Sequence, residues 1–428
     1  MSQNNFYITT PIYYPSGEPH IGHAYSSILA DVFARFKRND GSNVFFLTGT
    51  DEHGLKIQNA AKKNGSTPLN YCDKISLIFK NLTEKLNLSN DDFIRTTEIR
   101  HHDSVKELWD RLVKSGDIYL SKYKGWYSVS DEAYYNFDEI IEKNGKKFST
   151  FSGSQVEWVE EESFFFKLSS WQDKLLDFYN KNDKFILPIS RRNEVINFVK
   201  NGLKDLSVSR TSFTWGIKVP NNEKHVIYVW LDALTNYLSA LNFPKTNDKL
   251  YKTYWPASLH VIGKDILRFH AIYWPAFLMA AKIKPPKRIF GHGWILSGEE
   301  KMSKSKGNIL DPIELIKKYG IDELRYYLMK EVSHGSDGSI SLKSLENCIN
   351  SDLANNYGNL CQRIFSFIKS NCNNKIVKTK NISSKDKKLI EETKKLTENL
   401  RNFMDEQDLN NYIKSVINIS FLTNKYIN

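Results

Sequence analysis

Two short motifs, far apart in the chain, constrain its fold more than any other feature. Pro19-His20-Ile21-Gly22-His23 follows a strand-like run, Phe6-Tyr7-Ile8-Thr9-Thr10, and a turn, Pro15-Ser16-Gly17-Glu18-Pro19. Apolar residues then recur at helical spacing, at Ile21, Ala24, Ile28, Val32 and Phe36. The motif therefore sits where a strand hands over to a helix. A helix start presents unpaired N–H groups and the positive end of its dipole to an anion. Gly22 removes a side chain where a nucleotide must approach closely. His20 and His23 project from one face of the first turn, where imidazoles can donate hydrogen bonds to phosphate oxygens. Two surface histidines on an ordinary helix have the same spacing, so this motif alone leaves both readings open.

The second motif is Lys301-Met302-Ser303-Lys304-Ser305. Gly291-His292-Gly293-Trp294 and Ser297-Gly298 precede it, and Lys306-Gly307-Asn308 follows. Glycines on both sides suit a mobile loop. Lys301 and Lys304 carry charge that can meet a triphosphate and its leaving pyrophosphate, in a reaction that depends mainly on positioning and charge. Alone, a solvated basic loop is the simpler reading. The two motifs together, in this order, favour nucleotide chemistry.

The rest of the chain reads as an α/β enzyme. Asn43–Gly49 looks like a buried parallel strand that ends in Thr50-Asp51-Glu52-His53-Gly54, where such folds place their sites. From about Ser115 to Lys224 short aromatic segments appear, such as Gly125–Val129 and Val156–Val159, and predict an inserted, partly β subdomain. Strand character returns at His225–Trp230 and at Leu259–Gly263, the latter leading through Lys264-Asp265 into a helix over Phe269-His270. Asp311-Pro312-Ile313-Glu314 is a helix start, with Asp311 at the N-cap and Pro312 at the first position. Beyond Leu345 the pattern is helical, with Gly358 the only glycine and no proline, which predicts an antiparallel bundle.

At 428 residues the chain can hold two or three domains. Its net charge of +11 suits a polyanionic partner, though an unspecialised surface also accommodates it. Cys72, Cys348, Cys361 and Cys372 form no C-x-x-C pair, so they read as inert thiols in a reducing cytoplasm rather than a disulfide framework or a zinc site. The start of the chain carries no signal or transit pattern. No apolar run approaches the ~20 residues a membrane span needs.

Several segments together resemble the methionyl-tRNA synthetases, a family of class I aminoacyl-tRNA synthetases. They are Thr10–Tyr14, Pro19–His23, Gly49–Gly54, Tyr228–Ala233, Gly263–Ile266 and Lys301–Ser305. The resemblance covers essentially the whole chain and implies a Rossmann-type parallel sheet split by an inserted α+β subdomain and followed by a helical bundle. It implies a first half of the catalytic domain at 1–115, an insertion at 116–225, a second half at 226–285, a loop and tRNA-stem region at 286–345, and an anticodon-binding bundle at 346–428.

The resemblance also implies the reaction. Methionine attacks ATP, with Mg2+ present, to give methionyl-adenylate, and a terminal ribose hydroxyl of tRNA then takes the methionyl group. His20, His23, Lys301 and Lys304 match the catalytic residues. Gly22, Gly263 and Asp265 join them at the nucleotide. Asp51 matches the acid that receives the substrate ammonium. Ile12, Tyr14, Trp230, Leu234, Tyr237, Ile266, Phe269 and His270 match the methionine pocket, and aromatic walls suit a flexible, polarizable thioether. Asn359 and Arg363, one helical turn apart, match anticodon contacts.

Two departures from the family pattern stand out. Many members carry cysteine pairs for structural zinc in the insertion. This chain has Ser128-Val129-Ser130-Asp131 and Ser149–Gly153 there, a poor tetrahedral zinc site, so no zinc is expected. The family's bundle also continues beyond the position of Asn428, so anticodon binding by these residues alone is expected to be incomplete, and without the C-terminal appendage that dimerises some members a monomer is expected. The insertion is too short for the editing domain of the valine, isoleucine and leucine enzymes, and the thiols of a cysteine-specific zinc site are missing. The alternative of another class is a non-catalytic paralogue that only binds tRNA, against which the intact histidines and lysines argue.

Overall fold

The computed structural model describes residues 4–427 except 136, 298–299, 302–309, 333–334, 377 and 379–380; of 297, 300 and 301 it describes the main chain only. The chain forms two compact units, one of Met1–Pro19 with Ala30–Gly291 and one of His20–Leu29 with His292–Asn428.

The first unit is built on a six-stranded sheet. Strands β1 (Asn5–Thr9), β2 (Asn43–Thr50) and β3 (Asp92–Arg95) pair in parallel in the order β3–β2–β1. Helix α1 (Ile21–Asn39) links β1 to β2, and helices α2 (Leu55–Lys63) and α3 (Pro68–Lys85) link β2 to β3. Helix α4 (Ile99–Lys114) follows β3, and the chain returns much later to the other edge of β1. There Leu259–Gly263 runs parallel to it, with Ile8 opposite Leu259 and Thr9 opposite His260. Ile289–His292 and Ile186–Leu187 complete the sheet. Phe46–Thr50 are buried consecutively, the signature of a strand covered on both faces. The strand order reverses at β1, and in open α/β sheets the crevice beyond the strand ends at that point is where ligands bind. Ile12 and Tyr14 follow β1, Asp51 follows β2, and Gly263 ends the strand on the other side.

The insertion is more regular than its sequence promised. Ile118–Ser128 pairs antiparallel with Glu157–Phe166, from Ile118 opposite Phe166 to Tyr127 opposite Glu157. The aromatic segments are the visible ends of this long hairpin. Cross-strand pairs such as Lys124–Glu160, at 3.0 Å, carry the ladder through its polar middle.

Two expectations change. The strand predicted over His225–Trp230 stops at Ile227. Tyr228 is the N-cap of a helix over Val229–Leu234, its carbonyl accepting the Leu231 and Asp232 N–H groups at 3.0 and 3.1 Å. A short buried apolar run does not distinguish strand from helix, and here the switch puts Trp230 on a helix. The helix expected over Phe269-His270 is a wide π-helical turn, Phe269–Tyr273, before the α-helix Trp274–Ala280.

In the second unit Ile295–Ser297 pairs with Glu300–Lys301 on one side and Gly338–Ile340 on the other. The helix Pro312–Tyr319 starts as predicted, Asp311 Oδ1 accepting from the Ile313 N–H at 2.7 Å. Beyond it lie Leu342–Cys348, a π-helical Ile349–Gly358, Asn359–Asn371, Ser384–Glu398, Leu400–Asp405 and Leu409–Ile427. The expected architecture of parallel sheet, inserted subdomain and C-terminal helices is therefore present.

All four cysteines are free; Cys72 and Cys348 are buried, and burial pushes the Cys348 thiol up to about 11. Among the described residues no helix is long and apolar enough to cross a membrane.

Candidate active site

In the first unit an anionic corner and an aromatic wall lie on neighbouring segments. Asp51 is 7% exposed, and its Oδ1 has no hydrogen-bond partner among the described residues. Burial raises its carboxyl well above the ordinary range, and the charges of Asp232 and Glu132 raise it further, against a backbone N–H from His53 that lowers it. A carboxylate in this position calls for a cation.

Asp232 is the fixed counterpart. Burial alone would raise its carboxyl, but His53 and His101 outweigh burial and hold it below the usual range. His53 Nδ1 lies 2.7 Å from Oδ2 and His101 Nε2 lies 2.7 Å from Oδ1. Arg95 pairs with the neighbouring Glu52, its Nε at 2.7 Å from Oε1 and a second nitrogen at 3.0 Å from Oε2. Asp51 is thus the acid in this corner whose charge the protein leaves unanswered.

Asp232→Asn should cost about 2 kcal/mol of stability at pH 7, because the buried His53 and His101 lose their charged acceptor. A depressed carboxyl stabilises the fold above its unfolded value near 3.8 and loses that contribution as pH falls through its folded value. The gap between the two proteins should therefore close as pH falls below about 3.8, as followed by urea midpoints.

The aromatic wall starts two residues before Asp232. Trp230 stacks on Phe269, with ring centroids 3.7 Å apart and planes within 5°. His270 stands edge-on to Trp230, at 6.2 Å and 77°. The π-helical turn carries both Phe269 and His270, and such turns are frequent at functional sites. His270 Nδ1 lies 2.9 Å from the Ile266 carbonyl, so it holds the proton. His270 Nε2 is then an acceptor and takes the Tyr237 hydroxyl at 2.8 Å. Burial pushes His270 down to about 4, which keeps it neutral at pH 7. Behind it, Tyr237 stacks on His260 at 4.1 Å, and His260 Nδ1 meets Thr9 Oγ1 at 2.8 Å.

Ile12, Tyr14 and Ile266 are half-buried against the same core, and Leu234 lies within it. Of the predicted pocket residues, Ile12, Tyr14, Trp230, Leu234, Tyr237, Ile266 and Phe269 thus share one apolar core. Trp230→Ala should raise a bound amino acid's Kd about ten-fold, by removing half of this stack; titration of protein fluorescence or calorimetry reads it. An unchanged Kd would take Trp230 out of the pocket. At the strand end nearby, Gly263 is buried and Asp265 is exposed in the following turn.

In the second unit the first motif opens helix α1. The His20 and His23 rings lie 3.9 Å apart. Gly22 N donates to His20 Nδ1 at 3.1 Å, and His20 N donates to His23 Nδ1 at 3.0 Å. Each Nδ1 is therefore an acceptor, and in the neutral ring the proton sits on Nε2. The backbone has set both imidazoles as Nε2 donors. A Cβ on Gly22 would lie 2.9 Å from His20 Cε1, so the glycine first makes room for this ring.

His292 also touches this helix, its Nε2 at 2.8 Å from Ser26 Oγ. The strand after it, Ile295–Ser297, pairs with the first residue of the second motif, Leu296 opposite Lys301. Lys304 lies outside the described residues. Asn359 and Arg363 are exposed on the helix Asn359–Asn371, and Asn359 Nδ2 donates to the Asn355 carbonyl at 3.1 Å.

Sequence reasoning gave no role to Asp232, His53, His101, Glu132 or His260. Asp232 and His53 lie inside the family-like segments, which was the signal available. His101 and Glu132 lie far from any motif, and only the fold brings them in. Among the described residues no group of three or more His, Cys, Asp or Glu is arranged to hold a metal ion.

Known proteins resemble the chain along its length. The family model for "tRNA synthetases class I (M)" matches residues 6–147 and 143–365. Methionine–tRNA ligase of Brucella suis is 52% identical over 427 residues, covering 100% of this chain and 82% of that protein. The methionine–tRNA ligase of Rickettsia typhi is 52% identical over 428 residues, covering 99% and 83%. Among solved structures, Mycobacterium tuberculosis methionyl-tRNA synthetase in complex with methionyl-adenylate matches with a TM-score of 0.97 at 48% identity, covering 99% of this chain and 83% of that one. The chain belongs to the class I tRNA synthetase family, in its methionine branch.

Proposed function

We propose that this chain joins methionine to tRNA in two steps. The methionine carboxylate attacks the α-phosphorus of ATP, carried as its Mg2+ complex; the bond to pyrophosphate breaks and methionyl-adenylate forms. A terminal ribose hydroxyl of tRNA then attacks the methionyl carbonyl, and AMP leaves.

The observation that carries the substrate is the unanswered Asp51 carboxylate, on the segment whose acid–histidine network runs through Asp232 to the Trp230–Phe269 stack. An α-ammonium answers the carboxylate, and a polarizable thioether suits the aromatic wall. Ile12, Tyr14, Leu234, Tyr237, Ile266 and His270 complete the methionine pocket in this reading. Neutral His270, with its Nε2 satisfied by Tyr237, presents no charge to the sulfur. His20 and His23 donate their Nε2 protons to ATP phosphate oxygens as charge develops. Lys301 and Lys304 balance the leaving pyrophosphate. Gly22 allows the nucleotide close to the helix start, and Gly263 and Asp265 line its ribose. Asn359 and Arg363, exposed one turn apart, pair with splayed anticodon bases.

Amino-acid-dependent ATP–pyrophosphate exchange across the standard amino acids, without tRNA, tests the reading. Exchange is expected to be strongest with methionine. Exchange with another amino acid would keep the class and overturn the specificity. No exchange, from folded protein that still binds ATP, would favour a paralogue that only binds tRNA.

A further inference from the structure

Glu132 is buried to 5% exposure, at the tip of a turn in the inserted subdomain, with a left-handed backbone (φ 48°) that non-glycine residues seldom adopt. Four separate segments converge on it. The Tyr127 hydroxyl donates to Oε2. The Lys56 N–H, in the first turn of α2, donates to Oε1 at 3.0 Å. The Tyr14 hydroxyl lies 3.2 Å from Oε1, and the Tyr228 hydroxyl donates to the Glu132 carbonyl at 2.8 Å. No motif pointed here.

The Tyr14 contact gives this site its meaning. The same hydroxyl lies 2.6 Å from the His53 carbonyl, so its one proton is held between two acceptors. His53 in turn meets Asp232 through its ring and Asp51 through its N–H. Space is tight as well. A Cβ on Gly54 would lie 2.7 Å from the Tyr14 hydroxyl and 2.9 Å from Glu132 Oε1, and Gly54 has φ 103°.

The turn that presents Glu132 is itself pinned by its neighbour. Asp131 accepts Ser152 Oγ at 2.5 Å, Ser154 Oγ at 2.8 Å and the Tyr135 hydroxyl at 2.8 Å. The serine and aspartate set that replaces the family's cysteines is thus a hydrogen-bonded clasp. It ties the segment Ser149–Ser154 to the Glu132 turn. Merely joining two elements is cheaper with apolar residues than with a buried carboxylate, because removing a charge from water is costly. A carboxylate does what an apolar contact cannot: it fixes the directions of hydroxyl and N–H groups.

We propose that Glu132 is a positioning residue for the amino-acid site, acting through Tyr14 and the start of α2, so that the inserted subdomain sets methionine affinity. This inference rests on the methionine reading above. It adds a residue that touches neither substrate and belongs to neither motif.

A double-mutant cycle in ATP–pyrophosphate exchange tests it. Tyr14→Phe and Glu132→Ala should each raise the methionine KM about ten-fold, with the ATP KM unchanged. The double variant should be no worse than the weaker single variant by more than about two-fold, because both remove one arrangement. Glu132→Gln, which keeps the shape and an accepting oxygen, should recover most of the affinity. Multiplying effects in the double variant would overturn the inference, as would an unchanged methionine KM in Glu132→Ala or a rise in ATP KM of equal size. Should Glu132→Ala fail to fold, Tyr127→Phe removes the hydroxyl that holds Oε2. It should raise the methionine KM about three-fold with ATP unaffected, and no change would overturn the inference. A wild-type protein without methionine-dependent exchange would instead defeat the functional reading, and this inference with it.

Discussion

Asp51→Ala should raise the methionine KM by about 10²–10³-fold in ATP–pyrophosphate exchange and leave the ATP KM within about two-fold. The effect is large because the proposed pair is buried. In water an ammonium and a carboxylate gain little by meeting. In a site where one carboxylate oxygen is buried without a partner, loss of either charge strands the other. Asp51→Asn keeps the shape and loses the charge, so it should fall close to the alanine variant. Stability should move the other way. Asp51 shares its corner with Asp232 and Glu132, and both raise its carboxyl. Removing it relieves that repulsion, so the urea midpoint should stay level or rise. A variant that lost both affinity and stability would mean that Asp51 serves the fold rather than the substrate.

His23→Ala should lower kcat for the same exchange by about 10²–10³-fold, with the methionine KM within about two-fold. The separation of the two constants is the point of the experiment. A group that meets charge only as it develops changes the rate and leaves ground-state binding alone. The structure favours this role because His23 Nδ1 is already committed to the His20 N–H, at 3.0 Å. The other ring nitrogen then carries the proton without any need to change tautomer. An increase in methionine KM with kcat preserved would remove His23 from the transition state.

Much of this fold was legible because its signals are local. Alternation of strand and helix, the Pro/Gly turn before His20 and the Asp311-Pro312 helix start each depend on neighbours in sequence. The long hairpin of the insertion was read as short pieces because its middle is polar, and cross-strand charge pairs such as Lys124–Glu160 appear only once two distant segments are paired. Trp230 was placed on a strand because a buried apolar run carries no period. Its helical start depends on where the Tyr228 carbonyl finds its donors.

The site divides along the same line. The motif residues and those of the proposed pocket have expected roles from the motifs and the family resemblance. The hydrogen-bond network around Asp232 and Glu132 has none. Asp232 gains its meaning from His53 and His101, distant in sequence, and Glu132 from Tyr14 and Lys56. Such partners are joined by topology alone, so no spacing rule reports them.

The π-helical turn at Phe269–Tyr273 bears on how this pocket can change over evolutionary time. A wide turn holds one residue more than the α-helical path needs. Deleting that residue would restore an ordinary helix at small cost in backbone hydrogen bonds. It would also rotate everything on one side of the deletion by about 100° relative to the other. Phe269 would lose its register with His270 and with the buried Ala271, Ile272 and Trp274, so the Trp230 stack and the core beneath it would have to repack together. A change of chain length here would therefore alter the proposed pocket and the core together, which ties the shape of the one to the packing of the other.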